Sequence, residues 1–190
     1  ELVRSGKVRY LGTSNDSAYG LTKSNTIAQY ETLSRFESIQ NNFSLLNPRF
    51  LDELANVCRK EKISLLPYSP IGGGVLSGKY NQPFIDPKTR FGEYLHANEP
   101  RQRAMYNRFV NQKTLDATAR YVTLAKENGM SPVTLAVAWS MHFDFVASTI
   151  IGARFVGQLD ESFKALEIKL SAEVLKECEA IQKDILYPMG

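Results

Sequence analysis

The sequence predicts an α/β fold with parallel strands, the second half of a (β/α)8 barrel. Short, near-continuously apolar segments alternate with amphipathic ones, the pattern of strands covered on both faces and joined by crossover helices. Such alternation leaves a doubly wound sheet or a (β/α)8 barrel. Four strand-helix units occupy the 190 residues, whereas a complete barrel holds eight in roughly 250. Four strands alone would leave two bare edges. The other half of a barrel, or a partner such as a second copy of the chain, is expected to cover them.

The elements follow in order. The opening ELVRSGKVRY lacks an initiator Met, and Glu1-Leu2-Val3 reads as the last turn of a helix closed by Ser5-Gly6. The expectation is that an upstream part has been removed. Strands are predicted at VRYLGTS (8–14), FESIQNN (36–42), ISLLPYS (63–69) and VASTIIG (146–152). Helices are predicted over 19–30 and over 50–61, where Phe50, Leu51, Leu54, Val57 and Cys58 share a face. One long helical stretch runs from about Arg101 to Asn128 and stops at Gly129, and Ser131-Pro132 starts another that continues through Met141. Residues 155–167 are helical, and Ser171 opens a last amphipathic helix with an acidic first turn.

Composition narrows the class. With 43% hydrophobic and 23% charged residues the chain suits one globular domain with a real core. Its 23 Lys and Arg are dispersed among 20 Asp and Glu, which argues against nucleic acid as a partner. No apolar run reaches bilayer length and no signal-peptide pattern opens the chain, so no membrane association is expected. Cys58 and Cys178 lie far apart without metal-ligand spacing. They read as buried thiols in a reducing, cytoplasmic compartment, with no metal site.

In either parallel architecture ligands gather where strands end and helices begin. The loops concerned open at TSND, QNNF, YSPIGGG and GARF. The third extends from Ser69 to about Pro100 and reads as a flexible, functional strap bearing Lys88 and Arg90. In GARFVGQLDES a helix N-terminus beside Arg154 suits a phosphate; equally, Gly152 turns the chain and Arg154 is a solvated charge. Gln158 and Glu161 either meet an adenine edge or face water. The glycines of YSPIGGGVLSGKY allow close backbone approach to a ligand, with Lys79 in reach of an anion. This is not a Walker A loop, because Tyr80 follows Lys79. Tyr68 either stacks on a flat ring or packs as an interfacial core tyrosine. Ser14, Asn15 and Gln40 carry groups suited to a carboxamide.

Taken together, GKVRYLGTSN, FESIQNNFSLLN, LLPYSPIGGGVLSGKY and STIIGARFVGQLDES resemble, in order and spacing, the C-terminal half of the aldo-keto reductase superfamily, within it the Tas-like and potassium-channel β-subunit-like branches. The resemblance covers essentially the whole chain. It implies a (β/α)8 TIM barrel of which residues 1–190 form the cofactor-binding half, strands 5 to 8 with their helices and a C-terminal helix. The implied cofactor is NADP(H), with the reduced form, NADPH, preferred over NADH. Ser14, Asn15 and Gln40 would hold the nicotinamide carboxamide, and Tyr68 would stack on the ring. Ser69, Pro70, Ile71, Gly72, Gly73 and Lys79 would line the pyrophosphate, with Arg90 closing from the strap. Gly152 and Arg154 would receive the adenosine 2′-phosphate, and Gln158, Glu161 and Ser162 the adenine end; many relatives carry Asn at the position of Ser162.

The implied activity is reduction of aldehydes or ketones to alcohols, a small-molecule carbonyl being the substrate. The family's catalytic Tyr, Lys, Asp and His lie in the N-terminal half, so this chain would hold none of them and be inactive alone. Asp16-Ser17-Ala18-Tyr19 only superficially resembles the family's Asp-Thr-Ala-x-x-Tyr pattern, and His96 and His142 read as surface or packing residues. The alternative is a catalytically silent NADP(H)-binding regulatory or scaffold protein of the channel β-subunit type. Phe84, Phe91 and Tyr94 would lend apolar surface to the substrate side of the strap.

Overall fold

The computed structural model describes residues 1–189. Three parallel strands, β1 (Leu11–Ser14), β2 (Phe36–Asn42) and β3 (Ser64–Tyr68), form a sheet in the order β1-β2-β3. Helices α1 (Ala18–Tyr30) and α2 (Leu54–Glu61) occupy the two connections. The fourth predicted strand is not a regular one. Val146 makes a single parallel bridge to Leu65, the Ala147 N–H donates to Leu65 O at 3.0 Å and the Ile150 N–H to Pro67 O at 2.8 Å. Residues 146–150 therefore run beside β3 as an irregular extension of the sheet.

Register explains why the two sheet faces differ. Thr13, Ile39 and Leu65 are partners across the strands, and Ile39 and Leu65 are fully buried. The other face carries Gly12, Ser14, Ser38, Gln40, Ser64 and Tyr68, none of them buried. Coverage on both faces was the expectation from sequence; the described residues cover one face, and the other is mostly polar, with Leu66 opposite Gln40. Among the described residues β1 has β2 as its only strand neighbour.

The remaining helices are α3 (Arg90–Leu95), α4 (Pro100–Phe109), α5 (Gln112–Glu127), α6 (Pro132–Met141), α7 (Leu159–Lys164) and α8 (Ala172–Asp184). The predicted long helix over 101–128 is thus two. Val110 leaves helical geometry, and Asn111 starts α5 with a capping box in which its side chain accepts the Thr114 N–H while Thr114 Oγ1 accepts the Asn111 N–H. Ser131 caps α6 with Pro132 in the first turn, and Ser171 caps α8, both as the sequence signals. At the start of the chain Lys7 N–H reaches Leu2 O at 3.1 Å and Gly6 N–H reaches Val3 O at 3.0 Å, with Gly6 at φ 76°. These two bonds are a Schellman closure, the helix-ending geometry read from Ser5-Gly6.

An aromatic cluster anchors α6 to the sheet's buried side. Phe43 lies 4.8 Å from Trp139, 5.2 Å from Phe143 and 5.9 Å from Phe50, centroid to centroid, and Phe50 stacks on Phe145 at 5.6 Å. α5 packs against α6 and α8. Cys58 and Cys178 are free, buried thiols, in keeping with the sequence reading.

Candidate functional site

The strand ends carry backbone strain. Asn15 follows β1 at φ 55° and Ser69 follows β3 at φ 55°, left-handed values that non-glycine residues seldom adopt. Asn15 is held by its neighbours, and Ser69 O accepts the Gly72 N–H at 2.9 Å within its own turn. The Asn15 N–H donates to Asn41 Oδ1 at 2.8 Å and Asn15 Oδ1 accepts the Tyr68 hydroxyl at 2.8 Å. Ser14 Oγ donates to Gln40 O at 2.9 Å. The predicted carboxamide residues Ser14, Asn15 and Gln40 and the predicted ring-stacking Tyr68 therefore meet at one end of the sheet, cross-linked to one another. Asn41 is a member of this group that sequence reasoning missed; its place in QNN, beside Gln40, was the available signal.

Immediately past β3 a cleft of about 660 Å³ opens between the strap, the start of α6 and residues 150–162. Ser69, Pro70, Ile71, Gly73, Lys79, Arg90, Gly152, Arg154, Gln158, Glu161 and Ser162 all line it, so eleven predicted residues distant in sequence converge. Gly72 does not line the cleft. It is buried, and a Cβ there would sit 3.1 Å from Leu46 Cδ1, so it serves the turn. Gly74, Ser77, Val133, Val137, Ile150, Ile151, Ala153, Glu93 and Tyr94 complete the lining.

The strap is anchored rather than loose. A 3-10 segment (Gly72–Ser77) kinks at Gly73 and Gly74, both at positive φ. Tyr80 and Phe91 are buried in edge-to-face contact at 5.4 Å, Phe91 packs 5.2 Å from Phe109, and the Tyr80 hydroxyl accepts the Phe91 N–H at 3.3 Å. Of the three strap aromatics expected to offer ligand surface, Phe91 is core, Phe84 is exposed to solvent away from the cleft lining, and Tyr94 lines the cleft. Burial of two large rings outweighs the glycine content that suggested flexibility.

Electrostatically the cleft brings three cations, Lys79, Arg90 and Arg154, against two carboxylates, Glu93 and Glu161. Lys79 Nζ lies over the Tyr80 ring at 5.2 Å, and the Arg90 guanidinium sits 5.7 Å from the Tyr94 ring centroid. Arg154 is tied to the strap: Nη2 donates to Glu93 Oε1 at 2.7 Å and Nη1 to Lys88 O at 2.9 Å. The Glu93 hydrogen bond and charge push its pKa further up. The local geometry departs from the expected helix N-terminus, since a 3-10 turn (Val156–Gln158) intervenes before α7. The Arg154 N–H is accepted by Gln158 Oε1 at 2.9 Å, which spends that amide oxygen on the loop. Glu161 is placed by its backbone carbonyl, which accepts Thr134 Oγ1 at 2.8 Å.

The residues discounted from sequence do not line the cleft. Asp16 accepts the Ser17 N–H at 2.8 Å beside the start of α1, and Tyr19 is exposed. His96 ends α3, and His142 ends α6 against the Phe143 ring at 5.5 Å. Among the described residues there is no cluster of three or more metal-ligating side chains, and no helix is long and apolar enough to cross a membrane.

A parallel sheet whose strand ends feed a cation-lined cleft under an anchored strap is a ligand-binding α/β architecture, and comparison with known proteins identifies which. Residues 1–183 match the Aldo/keto reductase family, and the chain belongs to it. Protein tas of Escherichia coli is 36% identical over 191 residues, 99% of this chain and 52% of the relative. Aldo-keto reductase yakc [NADP(+)] of Schizosaccharomyces pombe is 30% identical over 178 residues, 92% of this chain and 48% of its own. A voltage-gated potassium channel β-subunit-like protein of the same yeast is 28% identical over 184 residues, 95% of this chain and 52% of its own. The chain spans about half the length of the curated relatives it matches.

Proposed function

We propose that this chain supplies the cofactor-holding half of an NADPH-dependent reductase of aldehydes or ketones. The observation that carries the reading is the convergence of Lys79, Arg90 and Arg154 with Ser69, Pro70, Ile71, Gly73 and Gly74 on one cleft beside the strand ends. The chemistry of the donors fits a phosphorylated dinucleotide: two guanidinium forks and an ammonium for anionic oxygens. Gly152 adds to the fit, since a Cβ built there meets no protein atom within 4 Å, so the glycine leaves that space to the cleft.

On this reading Arg154 and Gly152 take the 2′-phosphate, while Gln158, Glu161 and Ser162 take the adenine end. Lys79, Arg90 and the turn at Ser69, Pro70, Ile71 and Gly73 hold the pyrophosphate, with Gly72 supporting that turn from beneath. Ser14, Asn15 and Gln40 orient the carboxamide, and Tyr68, fixed through its hydroxyl to Asn15, keeps one ring face covered. The cofactor, when bound, supplies a hydride; this chain's residues bind, orient and exclude water. Proton delivery to the carbonyl oxygen belongs to the other half of the barrel.

Calorimetric titration of the chain with NADPH and NADH tests the reading. NADPH should bind more tightly, and Arg154→Ala should erase the difference, a loss of about 10- to 100-fold in NADPH affinity for a charge-assisted contact. Absence of binding by either cofactor overturns it. The channel β-subunit-like relative supports a second reading, in which the nucleotide state regulates a partner. Joining the chain to an upstream half-barrel and finding cofactor binding without aldehyde turnover would favour that reading.

A further inference from the structure

Arg154 and Glu93 line the same cleft and are bonded to each other. They want opposite ligands. A guanidinium is donor only and suits a phosphate, whereas a carboxylate accepts only and suits a ribose hydroxyl. Glu93 Oε1, 2.7 Å from Arg154 Nη2, occupies part of the fork that an incoming phosphate would use. The Lys88 carbonyl occupies Nη1 at 2.9 Å. Both strap groups sit within one stretch running from just before α3 to its fourth residue, and α3 is fixed to the core through Phe91. The carboxylate is thus presented to Arg154 by an anchored element.

Resting on the nucleotide-binding reading above, we infer that Glu93 is the residue that sets how strongly the cleft prefers a 2′-phosphorylated ribose over an unphosphorylated one. A 2′-phosphate must displace the Glu93 carboxylate from Arg154 and lie beside its negative charge. A 2′-hydroxyl leaves the pair intact and can donate to the free carboxylate oxygen. Glu93 therefore lowers affinity for the phosphorylated form and raises it for the other, narrowing the discrimination that Arg154 alone would give. No new fold element is needed, because the two side chains are about half exposed and free to re-pair.

The test is calorimetry of the chain with adenosine 2′,5′-bisphosphate and with 5′-AMP, for wild type, Glu93→Gln and Arg154→Ala. Glu93→Gln should tighten the bisphosphate about 1.5- to fivefold, the range for removing one exposed opposing charge, and leave 5′-AMP unchanged or weaker. The gain should shrink as salt is raised. Arg154→Ala should weaken the bisphosphate alone. Equal affinity ratios in wild type and Glu93→Gln, with both ligands binding, overturn the inference while the nucleotide site stands. Failure of either ligand to bind any of the three proteins, each folded by circular dichroism, brings down the site and the inference together.

Discussion

Two glycines of the cleft make opposite demands on a methyl group. Gly74 sits at φ 100°, and a Cβ there would lie 3.1 Å from Lys79 Nζ and 3.2 Å from its Cε. Gly74→Ala should therefore cost about 1–3 kcal/mol in urea unfolding, the expense of a side chain at a left-handed position, and should also displace Lys79. Gly152→Ala meets neither obstacle, so stability should stay within about 0.5 kcal/mol while the methyl intrudes on the cleft and weakens NADPH binding. A variant set in which Gly152→Ala destabilises and Gly74→Ala does not would reverse this assignment. The cations of the site were legible in sequence because Lys79, Arg90 and Arg154 each stand in a loop that follows or straps a predicted strand end. Glu93 was not, since an isolated carboxylate in a short amphipathic stretch carries no signal of a partner 61 residues on. Asn41 was missed for a similar reason: its role depends on Asn15 adopting a left-handed backbone, a tertiary outcome that local pattern does not record.

At the scale of elements, the break between α4 and α5 shows the limit of periodicity. Residues 101–128 contain no Pro or Gly, and nothing in their apolar spacing forbids one helix. The side chain of Asn111 decides otherwise: its Oδ1 accepts the Thr114 N–H, and its Nδ2 donates to Arg108 O at 3.0 Å and Pro188 O at 3.2 Å. Asn111→Ala should cost about 1 kcal/mol, typical of a lost N-cap, rising toward 2 because the tie to the C-terminal segment goes with it. A thermal midpoint unchanged within error would show the capping box to be dispensable. Helices opened by Ser131-Pro132 and Ser171 were readable because their caps are local chemistry. The fourth predicted strand forms only in part. Val146 to Gly152 has the composition of a strand, but only part of its backbone bonds to β3, and Ser140 Oγ engages Thr149 Oγ1 at 3.1 Å across to α6.

For the whole molecule, burial of thiols sets an alkaline limit. Desolvation pushes Cys58 from 9.0 up to about 11 and Cys178 from 9.0 up to about 12, and raises Tyr121, whose hydroxyl donates to Leu45 O at 3.2 Å. A raised pKa means the folded state keeps protons that the unfolded chain releases. The contribution is complete below about pH 9 and is lost as pH climbs through the folded values. Urea midpoints should fall between about pH 8 and pH 10.5, and the fall should be shallower in a Cys58→Ala, Cys178→Ala double variant. An identical slope would place the alkaline sensitivity elsewhere. The chain's single tryptophan turns the aromatic cluster into an optical gauge. Trp139 is 3% exposed and wedged between Phe43 at 4.8 Å and Phe143 at 5.0 Å, so its emission belongs to a dry environment and reddens only when α6 parts from the sheet. The strap carries no indole. Ligand-driven movement there would leave this emission dark to it, and a spectral change on nucleotide addition would instead report that Val133 and Val137, on the same helix and in the cleft wall, had passed the disturbance inward.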